Sequence, residues 1–541
     1  MSALEIRGRA AAPGLAMGRV YRLAEPTVGR RSAGDAEAER AALAAGMALA
    51  SAGLSAMTAD ADADGAAILE FQIAMLGDDA LAEPAYAAIA AGRDAASAFA
   101  AAMDAAIADY RAAEDAYFAA RVSDLEDIRD RVLAALSGEG DRAAPPPGAV
   151  LVGRDVTPSR FLAVDWSAGG AIALSEGSPS SHVAMLARAR GVPLVVGLGS
   201  RLPVDAREAI VDGETGLVLF EPDEAARAAL ARRRQDEDAA ATAEARAARA
   251  PARTADGLAL AIHINIAQPE DLDGIDPAIA DGIGLVRTEF LFHDRGGLPD
   301  EETQYRAYRR MVEWAGERPV TIRTIDAGGD KPVPHLTVDA ESNPFLGTRG
   351  IRLSLLRPEI FQVQLRALAR AAAHGRLKVM LPMVTVPREV TAAVALLDAV
   401  IADLKAQGIA HRRPSLGIMV EVPAVALVPE LFGAADFFSI GSNDLTQYTT
   451  AAARDIAGVA TLCDPAHPAV TALIANVVRA GKAMGRDVSL CGDMAGDPAH
   501  LPALLAAGLR SLSLAPRLVG RVKRALAGLS SSGAAHGEVR G

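Results

Sequence analysis

One histidine stands where a turn rich in serine runs into an apolar helix. His182 follows Glu176-Gly-Ser-Pro-Ser-Ser and precedes Val-Ala-Met-Leu-Ala, so it is predicted to be the first residue of that helix. Ser180 or Ser181 can cap the helix, whose free N–H groups and positive dipole end favour a negative group. A neutral imidazole placed there can attack phosphorus and carry a phosphoryl group. The plainer alternative is a histidine that only helps to cap the helix.

A second set of polar residues stands where apolar strands stop. Val286 is followed by Arg287, Ile322 by Arg323, and Leu490 by Cys491. The full set comprises Arg287, Arg323, Glu421, Asn443, Asp444, Arg454 and Cys491. Any single arginine of the set is equally well explained by a structural ion pair. The presence of three arginines, two carboxylates, an amide and a thiol at such positions instead favours a common site.

The residue types in this set describe a ligand. Arginines offer paired donors that suit phosphate and carboxylate groups. Glu421 and Asp444 suit a hard divalent cation, because Mg²⁺ usually binds one or two carboxylates together with substrate oxygens. A small phosphorylated carboxylic acid with Mg²⁺ is therefore the predicted substrate, and Cys491 at the same rim is a candidate proton donor.

The elements that must position these groups form two different patterns. From residue 257 onward, short apolar strands alternate with helices. Eight strands are predicted to begin near Leu258, Gly282, Val320, Leu377, Leu416, Phe437, Val488 and Ser511. Eight such units in roughly 280 residues are typical of a TIM barrel, whose active site gathers at the carboxyl ends of the strands. We assign residues 252–541 to this (β/α)8 barrel, and a doubly wound open sheet is the structural alternative.

The first part of the chain predicts a multidomain α/β protein with an inserted helical bundle. Residues 1–24 and 145–220 form one α/β domain, in which two strands come first and strands alternate with helices from residue 149. Residues 30–140 form the inserted helical domain, in which 35–136 are predicted to be entirely helical, with Leu69, Ile73 and Leu76 on one core-facing stripe. Residues 221–251 contain an Ala-, Arg- and Glu-rich run without Gly or Pro, which predicts an exposed linker helix.

Composition narrows the class of protein. The chain has 541 residues, a net charge of −13 and two cysteines, Cys463 and Cys491. The acidic balance argues against a nucleic-acid partner, and two cysteines provide no disulfide framework. Neither a transmembrane helix nor a signal peptide is expected, so a cytoplasmic protein is predicted. Between Asp35 and Leu136 there are 19 acidic residues and 6 arginines, which fits either a solvated surface or a docking face for a basic protein.

Several motifs together resemble Enzyme I of the bacterial phosphotransferase system. They are Asp155-Val-Thr-Pro-Ser159, Asp281-Gly-Ile-Gly-Leu-Val-Arg-Thr-Glu-Phe290, Asn343-Pro-Phe-Leu-Gly347 and Phe438-Ser-Ile-Gly-Ser-Asn-Asp-Leu-Thr-Gln-Tyr448. The resemblance implies that His182 is the phosphorylated histidine and Cys491 the proton donor. It implies substrate contacts for Arg287, Arg323, Asn443, Asp444 and Arg454, and Mg²⁺ ligands in Glu421 and Asp444.

The same resemblance implies an architecture and partners. A swivelling histidine domain would carry an inserted four-helix domain that docks the phosphocarrier protein HPr, and the barrel would form a homodimer. The implied reaction moves phosphate from phosphoenolpyruvate to His182 and then to HPr, the first step of sugar uptake. A regulatory nitrogen-type paralogue of Enzyme I, and a phosphoenolpyruvate synthase or dikinase, are the alternatives. The chain carries no Walker-type loop, which argues against the last two.

Two positions depart from the family pattern. The family usually has Gly-Gly-x-Thr-Ser-His before and at the histidine, whereas this chain has Gly177-Ser-Pro-Ser-Ser-His182. Ser180 retains a hydroxyl, but the turn loses a glycine. After the cysteine the family usually has Gly-Glu, and this chain has Gly492-Asp493. Both changes bear on the rate of the implied reaction rather than on its nature.

Overall fold

The computed structural model describes residues 3–530 apart from 24–33, 59–62, 113–115, 139–144, 201, 293–296, 330–332, 335, 338–340, 455 and 457. The chain divides into two compact units, residues 1–235 and residues 236–541. The domain boundaries predicted at residues 24, 30 and 140 lie within or beside segments outside the described part. They stay predictions.

The first unit contains an eight-stranded mixed sheet. Its strands are β1 (Leu4–Arg7), β2 (Arg9–Ala12), β3 (Leu15–Arg22), β4 (Val150–Gly153), β5 (Ala171–Leu174), β6 (Leu194–Val196), β7 (Glu208–Asp212) and β8 (Leu217–Phe220). They lie in the order β1-β8-β7-β3-β4-β5-β6-β2. Strands β3 to β6 are parallel neighbours, and the other pairs are antiparallel.

Alternation along the central strands gives this sheet two buried faces, because successive side chains of a strand point to opposite sides. Leu151, Ile172 and Leu194 belong to one apolar cluster, together with residues of two short helices. Val150 and Val195 belong to a second cluster on the opposite face. The helices of the first face are α6 (Pro158–Leu162) and α7 (His182–Arg190). The sheet therefore holds the start of α7 at the carboxyl end of its parallel strands.

A helical bundle is inserted between β3 and β4. Within the described residues it has five helices rather than the four that the resemblance implies: α1 (Ala36–Thr58), α2 (Ala63–Leu76), α3 (Asp79–Ala90), α4 (Ala95–Ala112) and α5 (Ala116–Ser137). Leu69 and Leu76 are buried in its core together with Phe99 and Ile128, and Ile73 packs against them. The predicted stripe thus faces the core of the bundle.

Helix α1 departs from one expectation. By length and composition it is apolar enough to cross a membrane, whereas no such segment was expected from the sequence. Leu43, Ala50 and Leu54 of α1 are buried in the core of the bundle. The most apolar window of α1 is only 22% buried, and its hydropathy comes largely from exposed alanines such as Ala44 and Ala45.

The linker helix α8 (Glu224–Ala248) contains the division between the two units. Its first half is tied to the sheet by Arg233, which pairs with Asp212 at 2.8 Å. Its second half is tied to the other unit, where Lys523 donates to the carbonyl oxygen of Ala248 at 2.8 Å. Within the described residues only Leu230 of α8 is buried, which agrees with the polar composition that predicted an exposed helix.

The second unit is a closed barrel of eight parallel strands. They are β9 (Ala261–Ile266), β10 (Ile283–Val286), β11 (Val320–Arg323), β12 (Leu377–Leu381), β13 (Ser415–Val420), β14 (Phe437–Ile440), β15 (Asp487–Leu490) and β16 (Ser511–Leu514). The barrel closes where β16 pairs with β9, so the open-sheet alternative is wrong. The predicted fold class is confirmed.

Helices follow the strands of the barrel and cover it. They are α9 (Glu301–Ala315), α10 (Ile351–Leu356), α11 (Pro358–Ala371), α12 (Pro387–Ala406), α13 (Pro423–Leu427), α14 (Ser442–Thr450), α15 (Pro468–Met484), α16 (Leu501–Ala506) and α17 (Val519–Ala527). The first strand begins at Ala261 rather than near Leu258. Leu258 is held in a turn instead, because its backbone exchanges hydrogen bonds with Thr254.

Candidate functional site

His182 is the first residue of α7, as the sequence predicts. Of the two serines proposed as caps, Ser181 is the one that caps the helix, and its Oγ accepts from the backbone N–H of Ala184 at 3.2 Å. Gly191 ends the helix in a left-handed conformation. The free N–H groups at this end give the helix start an affinity for anions.

Hydrogen bonds from Arg188 and between two serines fix the turn that precedes His182. Arg188 donates to the carbonyl oxygens of Pro179 at 2.9 Å and Ala11 at 2.6 Å. Ser178 and Ser180 bond to each other through their hydroxyls at 2.8 Å. Serine at 178, where the family has glycine, therefore adds a local hydrogen bond to the turn.

The imidazole of His182 contacts a carboxylate of the helical bundle. Its Nδ1 lies 3.2 Å from Oδ2 of Asp124 and 3.4 Å from Oδ1. The Asp124 side chain is fully buried, and that of His182 is 12% exposed. Arg121 and Gln72 also reach Asp124, both at 3.3 Å. Nδ1 is thus occupied by a contact inside the first unit, and Nε2 is the ring nitrogen that remains available to react.

A second buried carboxylate of α5 joins the bundle to the sheet. Asp127 accepts from the backbone N–H of Ser159 at 2.9 Å and from its hydroxyl at 2.5 Å. Arg131 donates to the same hydroxyl at 2.8 Å. Ser159 belongs to the Asp155-Val-Thr-Pro-Ser159 motif, so that motif fastens the start of α6 to the bundle.

In the barrel, Arg323 ends β11 inside the protein. Its Nη2 lies 2.6 Å from Glu289 Oε1, and its Nη1 lies 3.1 Å from Asp326 Oδ2. Burial alone would lower the pKa of this guanidinium, but the charges of Glu289 and Asp326 outweigh burial and raise the pKa. Arg323 is therefore a fixed, permanently charged group at the mouth of the barrel.

Arg349 is a second buried arginine beside it. It grips Asp326 with two nitrogens, at 3.2 and 2.9 Å. It also lies 3.5 Å from Asp444 and donates to the hydroxyl of Tyr448 at 3.2 Å. Burial opposes its charge, whereas Asp326 and Asp444 favour it, and the pKa of Arg349 is raised overall.

Glu421 and Asp444 bring negative charge to the same mouth. Glu421 is buried at the end of β13, and its Oε1 accepts from the backbone N–H of Met383 at 2.6 Å. Burial, and then the nearby charges of Asp444 and Asp326, raise the pKa of Glu421 to about 8. Such crowding of acids favours either a bound proton or a bound cation.

Cys491 follows β15 and is buried in a cluster inside the barrel. Its Sγ lies 3.6 Å from the carbonyl oxygen of Ile440. Burial raises the pKa of the thiol to about 11, with the charge of Glu421 adding to the effect and a hydrogen bond from Ser439 opposing it. At neutral pH the side chain is a thiol with a proton to give.

Asp493, which stands where the family usually has glutamate, keeps a contact with the start of α14. Asn443 and Asp493 form two hydrogen bonds, both at 2.9 Å, so the shorter carboxylate still reaches the amide. Gly492 lies so close to α14 that an added Cβ would stand 1.9 Å from Ser442 Oγ. Only glycine allows this approach of Cys491 and Asp493 to the start of α14.

The remaining arginines are placed differently. Arg287 follows β10, is exposed, and lies near enough to Cys491 for its charge to act on the thiol. Arg454 lies after α14 and is exposed, and within the described part of the chain it makes no hydrogen bond or ion pair. Contacts and charge interactions connect Arg323, Glu421, Asp444, Cys491 and Arg287, whereas Arg454 is not joined to them.

Sequence reasoning missed Asp124 and Arg349, and it noted Asp326 after the third barrel strand without giving it a role. Arg349 stands two residues beyond the Asn343–Gly347 motif, and Asp326 lies three residues after the end of β11, so both carried a signal of position. Asp124 carried none, because its partner is distant in sequence and it was counted only as part of an acidic surface.

Three family models cover most of the chain. Residues 7–121 match the N-terminal region of PEP-utilising enzymes, residues 145–216 the mobile domain, and residues 241–531 the PEP-binding domain. The last of these covers more than half of the chain. Fold and site together therefore define a PEP-utilising enzyme.

The full-length relatives narrow the family. A phosphoenolpyruvate-protein phosphotransferase of Staphylococcus carnosus is 36% identical, with 98% of this chain and 95% of that protein covered. A phosphoenolpyruvate-protein phosphotransferase of Geobacillus stearothermophilus is also 36% identical, with 94% of this chain and 90% of that protein covered. The chain belongs to this family, that of Enzyme I. A solved structure described as Enzyme I by NMR covers 43% of this chain at 23% identity, but its TM-score of 0.35 is too low to define a fold.

The state of Cys491 predicts its reactivity. With a pKa of about 11, roughly one thiol in a thousand is ionised at pH 8, and only the thiolate is alkylated readily. We expect iodoacetamide to label the partly exposed Cys463 of the folded protein while Cys491 stays protected, as read by peptide mass spectrometry. The variant Cys463→Ser should take up no label until it is unfolded. Equal labelling of both cysteines in the folded chain would contradict a buried, protonated Cys491.

Proposed function

We propose that this chain transfers the phosphoryl group of phosphoenolpyruvate to its own His182 and then to an HPr-type phosphocarrier protein. This would be the first step of sugar uptake by the phosphotransferase system. The observation that carries the proposal is the pair of buried arginines, Arg323 and Arg349, beside Glu421, Asp444 and Cys491 at one mouth of the barrel. The names of the relatives favour this function over a regulatory paralogue or a synthase.

The barrel mouth suits phosphoenolpyruvate. Arg323 Nε and the hydroxyls of Thr324 and Ser442 are buried without a hydrogen-bond partner in the described residues, although buried polar atoms normally have one. A ligand with several anionic oxygens would satisfy them. Arg287 and Arg454 are exposed and remain available for the carboxylate and phosphoryl oxygens, while Asn443 and Asp444 line the same rim.

The donor set fits Mg²⁺. The raised pKa of Glu421 arises partly from Asp444, so a cation between the two carboxylates would relieve their repulsion. The described residues hold no cluster of three His, Cys, Asp or Glu side chains fit for a metal, so part of the coordination would come from the substrate. When bound, Mg²⁺ neutralises charge on the phosphoryl oxygens.

The protein's own groups account for the rest of the chemistry. Nε2 of His182 attacks phosphorus in line, and the bond from phosphorus to the enolate oxygen breaks. Arg323 and Arg349 stabilise the spread of negative charge without having to reorganise, because they are already fixed by Asp326. The thiol of Cys491 then gives its proton to the enolate carbon and yields pyruvate.

His182 has to reach two partners in turn. It belongs to residues 1–235, whereas the arginines belong to residues 236–541, so it must enter the barrel mouth to be phosphorylated and leave it to serve the carrier. We assign residues 1–24 and 145–220 to a swivelling histidine domain and residues 221–251 to its linker.

The helical domain, residues 30–140, is the proposed dock for the carrier. Its excess of acidic residues would attract a basic protein. The barrel domain, residues 252–541, is the proposed dimer interface. It exposes Leu427, Val428 and Leu431 in one short stretch, and large exposed apolar side chains in succession mark an interaction surface.

The phosphorylation of His182 tests the proposed function. Incubation of the chain with phosphoenolpyruvate and Mg²⁺ should attach an acid-labile, base-stable phosphate, which peptide mass spectrometry should place on His182. The variant His182→Ala should remain unlabelled, whereas His263→Gln, in the barrel, should label like the parent. Labelling of His182→Ala at the parental level would refute the assignment.

Loss of Cys491 should separate binding from turnover. The arginines and carboxylates persist in Cys491→Ala, so binding of phosphoenolpyruvate with Mg²⁺ should change little in calorimetry. Protonation of the enolate loses its acid, and general acid catalysis contributes about 10²–10⁴-fold. We expect pyruvate formation to fall by about that factor. Near-parental pyruvate formation would dismiss Cys491 as the proton donor.

Salt should slow transfer to the carrier if the acidic helical domain steers it. Surface charge acts mainly on association rate, and the Debye length is about 10 Å at 0.1 M salt. The association rate of the phosphorylated chain with purified HPr should fall as salt rises. The association rate of the triple variant Glu37→Gln, Glu70→Gln, Glu83→Gln should depend less on salt than that of the parent. The control Asp487→Asn, which removes an acid from the barrel, should keep the salt dependence of the parent. If the association rate did not change with salt, the acidic face would be only a solvated surface and not a docking site.

A further inference from the structure

We infer that Asp124 is a positioning residue for the phosphoryl transfer, which keeps a proton on Nδ1 of His182 while Nε2 gains and loses the phosphoryl group. The inference rests on the proposed function, because it assigns a role within that same reaction. It concerns a residue of the helical bundle, a part of the chain to which only carrier docking was attributed above.

The geometry around the ring supports this role. Both carboxylate oxygens of Asp124 lie within 3.4 Å of Nδ1, at 3.2 and 3.4 Å. A carboxylate is an acceptor only, so the contact is satisfied when Nδ1 carries the hydrogen. Asp124 is itself fixed, since Gln72 Nε2 and Arg121 Nη1 each lie 3.3 Å from one of its oxygens. The ring is therefore held in one tautomer by a group that has no freedom to turn away.

Simple fastening of the bundle to the sheet does not account for Asp124. That task is performed one helical turn further along α5 by Asp127, which binds the N–H and hydroxyl of Ser159. Asp127 touches no atom of the histidine ring in the described contacts. The two buried aspartates share Gln72, which donates to Asp124 at 3.3 Å and to Asp127 at 3.2 Å, but only Asp124 meets the reacting ring.

The tautomer decides whether the first transfer is possible. With the proton on Nδ1, the lone pair of Nε2 is free to form the bond to phosphorus while the bond to the enolate oxygen breaks. With the proton on Nε2, no lone pair faces the phosphoryl group. Asp124 consequently acts before the reaction, by selecting the form of the ring that can react.

The charge of Asp124 also matters after the first transfer. The phosphorylated ring with Nδ1–H carries a formal positive charge, which the carboxylate favours. In the onward step the bond from Nε2 to phosphorus breaks, the electron pair returns to Nε2, and the proton stays on Nδ1 throughout. The ring then leaves as neutral imidazole. If Nδ1 had lost its proton, it would have to leave as an anion.

Two variants separate the two effects. Asp124→Asn keeps an oxygen that can accept from Nδ1–H but removes the charge, whereas Asp124→Ala removes both. Asp127→Asn is the matched control, because it changes a buried aspartate of the same helix that does not meet the ring. All are made in the full chain, and circular dichroism confirms that each is folded.

The first measurement is the ¹⁵N NMR signature of the His182 ring, assigned by its loss in His182→Ala. The parent, Asp127→Asn and Asp124→Asn should show a protonated Nδ1 and an unprotonated Nε2. Asp124→Ala should show protonation of Nε2 as well. Its rate of phosphorylation by phosphoenolpyruvate should fall by about 10–100-fold, the loss typical when a metal-binding histidine loses the carboxylate that orients its ring.

The second measurement is the loss of phosphate from the isolated phosphoprotein at pH 7. We expect phospho-His182 to survive about tenfold longer in Asp124→Asn than in the parent. This factor corresponds to a shift of about one unit in the pKa of Nδ1, which lowers its proton occupancy about tenfold. Asp127→Asn should match the parent. The readout needs no carrier, so it does not depend on which carrier this chain serves.

The outcomes distinguish this inference from the proposed function. If the parent gains no phosphate on His182, the proposed function is wrong. If the parent is phosphorylated but Asp124→Ala keeps the parental ¹⁵N signature and rate, the proposed role of Asp124 is wrong and the function stands. If Asp124→Asn and Asp127→Asn alter phosphate loss equally, Asp124 only fastens the bundle to the sheet.

Discussion

Two buried arginines share one buried carboxylate at the mouth of the barrel. Asp326 bonds Arg349 through two nitrogens and Arg323 through a third. Removing one member of such a group leaves a charge buried without its partner, at a cost of about 3–5 kcal/mol. The contact therefore ties the end of β11 to the segment before α10. It also holds both guanidinium groups rigid, which places fixed positive charge at the site before any substrate arrives.

The arginines are outnumbered by acids in the same place. Two positive groups stand among four acidic ones, namely Arg323, Arg349, Glu289, Asp326, Glu421 and Asp444. Glu421 relieves part of the excess through its raised pKa of about 8. A divalent cation would relieve all of it and would leave the exposed Arg287 to meet the substrate. Charge balance thus supports a site that binds metal and anionic substrate together.

The sequence predicted the barrel and most of its rim, because each strand is a short apolar run whose end is marked by a polar residue. It predicted the place of His182 for a similar reason, since a serine cap and an apolar run define the helix start. It could not predict that Asp124 meets His182, because a contact between residues 58 positions apart leaves no local pattern. Arg349 was missed because it lies beyond a motif and not at a strand end.

The carboxylate beside His182 is not an isolated negative charge. Asp124 lies 3.3 Å from Arg121, and the neighbouring Asp127 lies 3.6 Å from Arg131, so each of these acids has a positive partner. Repulsion between the acids of the bundle and a phosphoryl group therefore does not by itself drive the proposed relay. The proposed role of Asp124 is local instead, because an acceptor for Nδ1–H keeps the ring a neutral leaving group when the bond from Nε2 to phosphorus breaks.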